Sequence, residues 1–275
     1  MTIHTFDNPA FVEPRPLLLR QHNVAIAWSP KSACTHLAVW HFLKEGLLPA
    51  CNHFHYWPHQ YRTQVYYRGW QYQQRLREIF DAKGKGWTLV RYTRNPARRL
   101  VSQFRHAVQF KLIDELVKAK VGHDPAVDGL SMQDYYQALL GEDLTWSGGA
   151  DVHVKEQRHP LWSWGFDRVV TINMDEVNLL EATQNMEREL GIGVVDTNAH
   201  PKFQQVRNMH HAQDYAWEGN DYELLHHRFK REPGANRFPK RSLEKLEATQ
   251  VISWALYGID YADTHTDDIK LEACA

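Results

Sequence analysis

Two short polar segments carry the residue types that bind an anion. Pro30-Lys31-Ser32-Ala33-Cys34-Thr35 follows a short apolar run and precedes a run with helical character. It offers the positive charge of Lys31, the hydroxyls of Ser32 and Thr35, and the backbone N–H groups of a helix start, whose dipole favours an anion. Phosphate or sulfate suits such a turn, although an ordinary strand-to-helix turn with a surface lysine would read the same way in isolation. The triphosphatase pattern G-x-x-x-x-G-K-[ST] is absent: Lys31 precedes the turn, and no glycine lies within it. The second segment begins at Arg94. Beyond Pro96, Arg98, Ser102 and Arg105 recur at four- and three-residue steps on one helix face. Arg94 and Ser102 can thus approach one anion from loop and helix, unless this is simply a solvated basic face.

A transfer reaction also needs a base, and histidine suits neutral pH. Of the 17 histidines, His53 and His55 are favoured: they follow the first helix, and in an extended segment both would point the same way. His59 and His153 stand in reserve. The H-x-H spacing could seat zinc, but no cysteine pair or third ligand completes a site, so no metal is expected. Tyr56, Trp57, Tyr66, Tyr67 and Trp70 could stack on an acceptor ring, though most aromatics serve the core. Lys230 and Arg231 could reach a nucleotide from the basic run 229–241.

The elements that must position these groups follow from pattern. Residues 23–28 (NVAIAW), 87–93 (WTLVRYT) and 168–174 (RVVTINM) read as buried strands. Helices are predicted over 36–45, 72–82, 96–120, 132–140, 175–190 and 242–257. Asn95 is a fitting N-cap, with Pro96 at the first helical position. Ala97, Val101, Phe104 and Val108 form the buried stripe of the helix after Pro96. Strands alternating with helices predict an α/β fold with a mostly parallel sheet, and both anion loops at the carboxyl ends of its strands, serving one cleft.

The 275 residues, 43% hydrophobic and 24% charged, suffice for a globular core, and a formal charge of -1 gives no hint of a nucleic-acid carrier. Cys34, Cys51 and Cys274 have no framework spacing, which fits reduced thiols in a cytoplasmic protein. No apolar run suggests a membrane span, and the N-terminal residues, with Asp7 and Glu13, do not resemble a signal peptide.

At the two loops the chain resembles the sulfotransferases that use 3′-phosphoadenosine 5′-phosphosulfate, above all their carbohydrate branch. Residues 30–35 resemble the family's 5′-phosphosulfate loop, P-K-x-G-[CST]-[ST], with Ala33 in place of glycine. Residues 94–104 (RNPARRLVSQF) resemble the 3′-phosphate segment R-[DN]-P-x-x-R-x-x-S-x-[FY]. Fainter likenesses are Asp151, His153 and Gln157 to a D-x-H-x-x-x-Q stretch, and residues 256–261 to a closing L-Y-x-x-D-[FY]. The resemblance implies a P-loop-like three-layer fold, a central mostly parallel sheet flanked by helices, in a single domain over 1–275. Residues 1–20 would be an N-terminal extension and 264–275 a loose tail. It also implies metal-independent in-line sulfuryl transfer to an acceptor hydroxyl, with carbohydrate favoured. Lys31 would stabilise the leaving phosphate; Ser32, Ala33, Cys34 and Thr35 would hold the phosphosulfate; Arg94 and Ser102 would bind the 3′-phosphate. A P-loop phosphotransferase and a non-catalytic nucleotide-binding relative are the rival expectations, the latter kept open by Ala33.

Overall fold

A computed structural model describes residues 15–197, 200–210, 213–231 and 237–262. The expected tail 264–275, Cys274 and the first fourteen residues of the expected N-terminal extension lie outside them. The first elements are β1 (Leu17–Leu18), β2 (Val24–Ala27), α1 (Cys34–Lys44), α2 (Leu48–Phe54), α3 (Pro58–Gln64), α4 (Trp70–Ala82) and β3 (Thr88–Thr93). Next come α5 (Pro96–Gln109), α6 (Asp114–Lys120), α7 (Pro125–Asp128), α8 (Met132–Leu139), β4 (Arg168–Asn173), α9 (Leu179–Glu189) and α10 (Pro201–His210). The last are β5 (Gln213–Asp214), α11 (Asp221–His226), β6 (Arg237–Phe238), α12 (Lys240–Lys245) and α13 (Glu247–Tyr261).

The chain packs as two compact units, Met1–Thr93 with His159–His211 and Arg94–Arg158 with Ala212–Ala275. The first unit holds the main sheet, in the order β1-β2-β3-β4. β2, β3 and β4 run parallel, with Val24 opposite Thr88 and Thr88 opposite Arg168, and β1 is antiparallel to β2. Every residue of β2 is buried, which explains its unbroken apolar run. The fold is thus mixed α/β, with a mostly parallel sheet and flanking helices. β1 had no periodicity to announce it. It is held in place by Tyr66, whose Oη accepts from Leu18 N–H and donates to Leu18 O, and by Tyr72 Oη, which donates to Pro16 O. Tyr66 and Tyr67 are therefore core residues, not stacking surfaces. α9 meets the sheet through Tyr92, whose hydroxyl lies 3.4 Å from Thr183 Oγ1.

The extended course supposed for His53 and His55 is not found: residues 48–54 and 58–64 are helical, as α2 and α3. Each starts with proline in its first turn, where the missing N–H costs nothing. Their buried contacts come from scattered residues such as Leu48, Cys51 and Tyr61, so no apolar period revealed them.

The second unit has its own core around α5. Ala97, Val101, Phe104 and Val108 are all buried, as the spacing predicted. The helix expected to reach residue 120 breaks at Phe110, whose backbone is extended. Arg231 explains the break: its guanidinium donates to the carbonyls of Val108 and Phe110 and pairs with Asp114 at 3.0 Å. The helix predicted over 242–257 likewise divides, because Leu246 adopts extended backbone between α12 and α13. Gly129 (φ +85°) brings Leu130 into a two-way backbone pair with Phe229; a Cβ there would sit 2.9 Å from Phe229 O.

Candidate functional site

The loop after β2 turns sharply. Ser32 N–H donates to Ser29 O at 3.2 Å, and the two serine hydroxyls lie 3.1 Å apart. Lys31 (φ 71°) and Ala33 (φ 59°, ψ 18°) both adopt left-handed backbone, and Leu37 N–H donates to Ala33 O, so Ala33 is the N-cap of α1. A methyl side chain cannot cap, and no side-chain hydrogen bond serves this cap among the described residues. Left-handed backbone costs a non-glycine residue roughly 1–2 kcal/mol, which gives a physical reason for glycine at this position of the sulfotransferase pattern. Lys31 and Cys34 are half-buried, while Ser32 and Thr35 are buried.

Beside the loop stands a histidine. Thr35 Oγ1 lies 3.1 Å from His59 Nε2, and Cys34 Sγ is 3.8 Å from the same hydroxyl. The His59 ring is stacked against Trp28 at 6.1 Å and meets Trp57 edge-on at 5.3 Å. The Arg62 guanidinium lies over the Trp28 ring, 4.5 Å from its centroid. His59, held in reserve by sequence reasoning, thus touches the 30–35 loop. His53 is exposed in the last turn of α2 and His55 is its C-cap, so the two do not share the direction that an extended segment would give them. His55 Nδ1 accepts from Trp57 N–H at 2.9 Å and supports the backbone that leads to His59. His36, next to Thr35, is kept neutral: burial pulls its imidazole down to about 4.

In the second unit, Arg94 precedes a well-formed N-terminus. Asn95 Oδ1 accepts from Ala97 N–H (3.0 Å) and Arg98 N–H (3.2 Å), as predicted. The backbone of Arg94 is gripped by buried Gln157, whose Oε1 accepts from Arg94 N–H (2.7 Å) while its Nε2 donates to Arg94 O (3.1 Å). The Arg94 guanidinium lies 3.8 Å from Glu244, which also pairs with Lys240 at 3.4 Å. Ser102 is half-buried along α5, with Arg105 on the same face and Arg98 exposed.

The motif's inner arginine has a different task. Arg99 is 1% exposed and pairs at 3.5 Å with Asp260, which is 0% exposed. Its Nη2 donates to Lys155 O (2.6 Å) and Glu156 O (3.4 Å), while both Asp260 oxygens accept from Gln157 N–H at 2.8 Å. Sequence reasoning noted Gln157 and Asp260 only as faint likenesses; their connection is tertiary and leaves no local signal.

Asp151 Oδ1 accepts from His153 N–H and lies 2.8 Å from His153 Nδ1. Burial pushes the Asp151 carboxyl up, but hydrogen bonds from His153 outweigh it and hold the group below its usual range. His106 adjoins His153 at 4.5 Å. Arg231, weighed as a nucleotide ligand, is committed to Asp114 and to the end of α5. Among the described residues no group of three or more His, Cys, Asp or Glu could hold a metal ion, and no helix is long and apolar enough to cross a membrane.

Comparison with protein-family models, with curated proteins and with solved structures finds no match to this chain.

Proposed function

We propose that this chain is a sulfotransferase that moves the sulfuryl group of 3′-phosphoadenosine 5′-phosphosulfate to an acceptor hydroxyl, with carbohydrate the favoured acceptor class. The observation that carries the reading is the turn between β2 and α1. Lys31 and Ala33 have left-handed backbone, Ser32 and Thr35 line the turn, and a histidine rests on the Thr35 hydroxyl. In this reading the turn is a phosphate-binding loop of the P-loop kind, in a three-layer fold. Its backbone N–H groups and hydroxyls hold the 5′-phosphosulfate, and Arg94 with Ser102 holds the 3′-phosphate.

The chemistry asked of the protein is mainly positioning and charge stabilisation, as in loose phosphoryl transfer. The acceptor oxygen forms a bond to sulfur as the bond from sulfur to the bridging phosphate oxygen breaks. Lys31 neutralises the charge that develops on that leaving oxygen. His59 accepts the acceptor's proton; once the donor's oxygens engage the Thr35 hydroxyl, Nε2 is released for this work. His53 and His55 remain the alternative bases for this step. No residue role here requires a metal.

The test is calorimetric titration of adenosine 3′,5′-bisphosphate, the spent donor, into the wild type, Lys31→Ala and Arg94→Ala. Micromolar binding that Arg94→Ala largely abolishes supports the reading and justifies an acceptor screen with labelled donor. Absence of binding by the wild type removes it, and protection from heat by magnesium and ATP alone would favour a phosphotransferase.

A further inference from the structure

A loop arginine can bind a phosphate well only if its backbone is fixed before the ligand arrives, since ordering it on binding subtracts from affinity. Arg94 lies ahead of the N-cap, outside the hydrogen-bond ladder of α5. Gln157 supplies what the ladder does not. Its single amide engages both backbone groups of Arg94, at 2.7 and 3.1 Å, and so fixes the peptide planes on either side. Only one orientation of that amide satisfies both bonds, because oxygen must face the N–H and nitrogen the carbonyl.

Gln157 is itself held. Asp260 accepts from the N–H groups of Gln157 and Arg158, at 2.8 and 3.2 Å. On the same stretch Arg99 takes the carbonyls of Lys155 and Glu156. The two buried charges thus bind opposite backbone polarities of residues 155–158 as well as each other. A buried ion pair is poor value for stability alone, since desolvation offsets most of its attraction. Here it also satisfies the backbone of residues 155–158, the segment that presents Gln157 to Arg94.

We propose that Gln157 is a positioning residue for the 3′-phosphate, acting through the backbone of Arg94, and that the Arg99–Asp260 pair anchors it. The inference rests on the sulfotransferase reading for the identity of the phosphate, but the link from Gln157 to Arg94 can be measured without it.

The experiment compares wild type, Gln157→Ala and Gln157→Glu, with adenosine 3′,5′-bisphosphate and adenosine 5′-monophosphate as probes. Amide hydrogen exchange at Arg94 is followed in parallel. Gln157→Ala is expected to weaken the bisphosphate at least tenfold, leave the monophosphate within about twofold, and speed exchange at Arg94. Gln157→Glu keeps an acceptor for Arg94 N–H but sets an anion against its carbonyl, so it should fall between the two; it carries the test if the alanine variant does not fold. A general structural role would weaken both probes alike. Full preference for the bisphosphate in a folded Gln157 variant overturns the proposal. If the wild type shows no such preference, the sulfotransferase reading falls. The clamp is then judged on exchange alone, and unchanged exchange at Arg94 overturns it too.

Discussion

The Thr35 hydroxyl and His59 Nε2 lie 3.1 Å apart, joining the first turn of α1 to the first turn of α3. Because the ring is also flanked by Trp28 and Trp57, its position is set by packing as well as by this bond. His59→Ala is expected to lower kcat by about 10²–10⁴-fold, the usual weight of a positioned base, while the bisphosphate Kd changes little. His53→Ala serves as the comparison. A His59 variant that loses affinity but keeps kcat would make the residue a support for Thr35 and not a base.

Ala33 occupies left-handed backbone at the N-cap of α1. Glycine would remove a cost of roughly 1–2 kcal/mol in the folded state but would lose about 0.4–1 kcal/mol through a freer unfolded chain. Ala33→Gly should therefore raise stability modestly, by up to about 1.6 kcal/mol on these figures. Thermal melting checks the sign, and unchanged or lower Tm would mean that the loop relaxes around alanine without strain.

Burial first, and the charge of Asp260 second, push the Glu156 carboxyl up from 4.5 to about 7. A carboxyl with a raised folded pKa favours the folded state when protonated. Its contribution is complete below pH 4.5 and is lost as pH rises through 7. Glu156→Gln should melt above the wild type at pH 8 and close to it at pH 4.5. Neutral, buried His36 acts in the opposite sense, losing stability as pH falls through about 4, so the difference between variant and wild type is the quantity to read.

Removing one partner of the Arg99–Asp260 pair strands a buried charge. Asp260→Ala is expected to cost about 3–5 kcal/mol in urea unfolding. Asp260→Asn should cost less, since it keeps an acceptor for Gln157 N–H. A double variant, Arg99→Met with Asp260→Leu, should recover part of the loss; if each single change is nearly silent, the pair has no anchoring role.

β2 was legible because burial on both faces writes an unbroken apolar run over residues 24–27. β4 lies where its apolar run placed it, but it is not the buried strand expected, since Arg168 and Val169 are exposed. The face of α5 and its Asn95-Pro96 start were legible because capping and helical period are local. Three features were not. The end of α5 is decided by Arg231, far along the chain. α2 and α3 lack an apolar period, since only a few of their residues are buried. The grip of Gln157 on Arg94 joins distant residues whose types are ordinary on their own. For the same reason His59 could not be separated from His53 and His55 until α3 set its ring beside Thr35.

Each compact unit is assembled from two separated stretches of chain. During synthesis, β4 and α9 therefore leave the ribosome only after residues 94–158, which belong to the other unit. β1–β3 must wait with their β4-facing edge unpaired, and α5 must wait longer still for α12, α13 and Asp260. The first core cannot close until its second stretch, ending at His211, has emerged, and the second must wait for α13, so an open sheet edge is exposed for longer than in a fold of consecutive units.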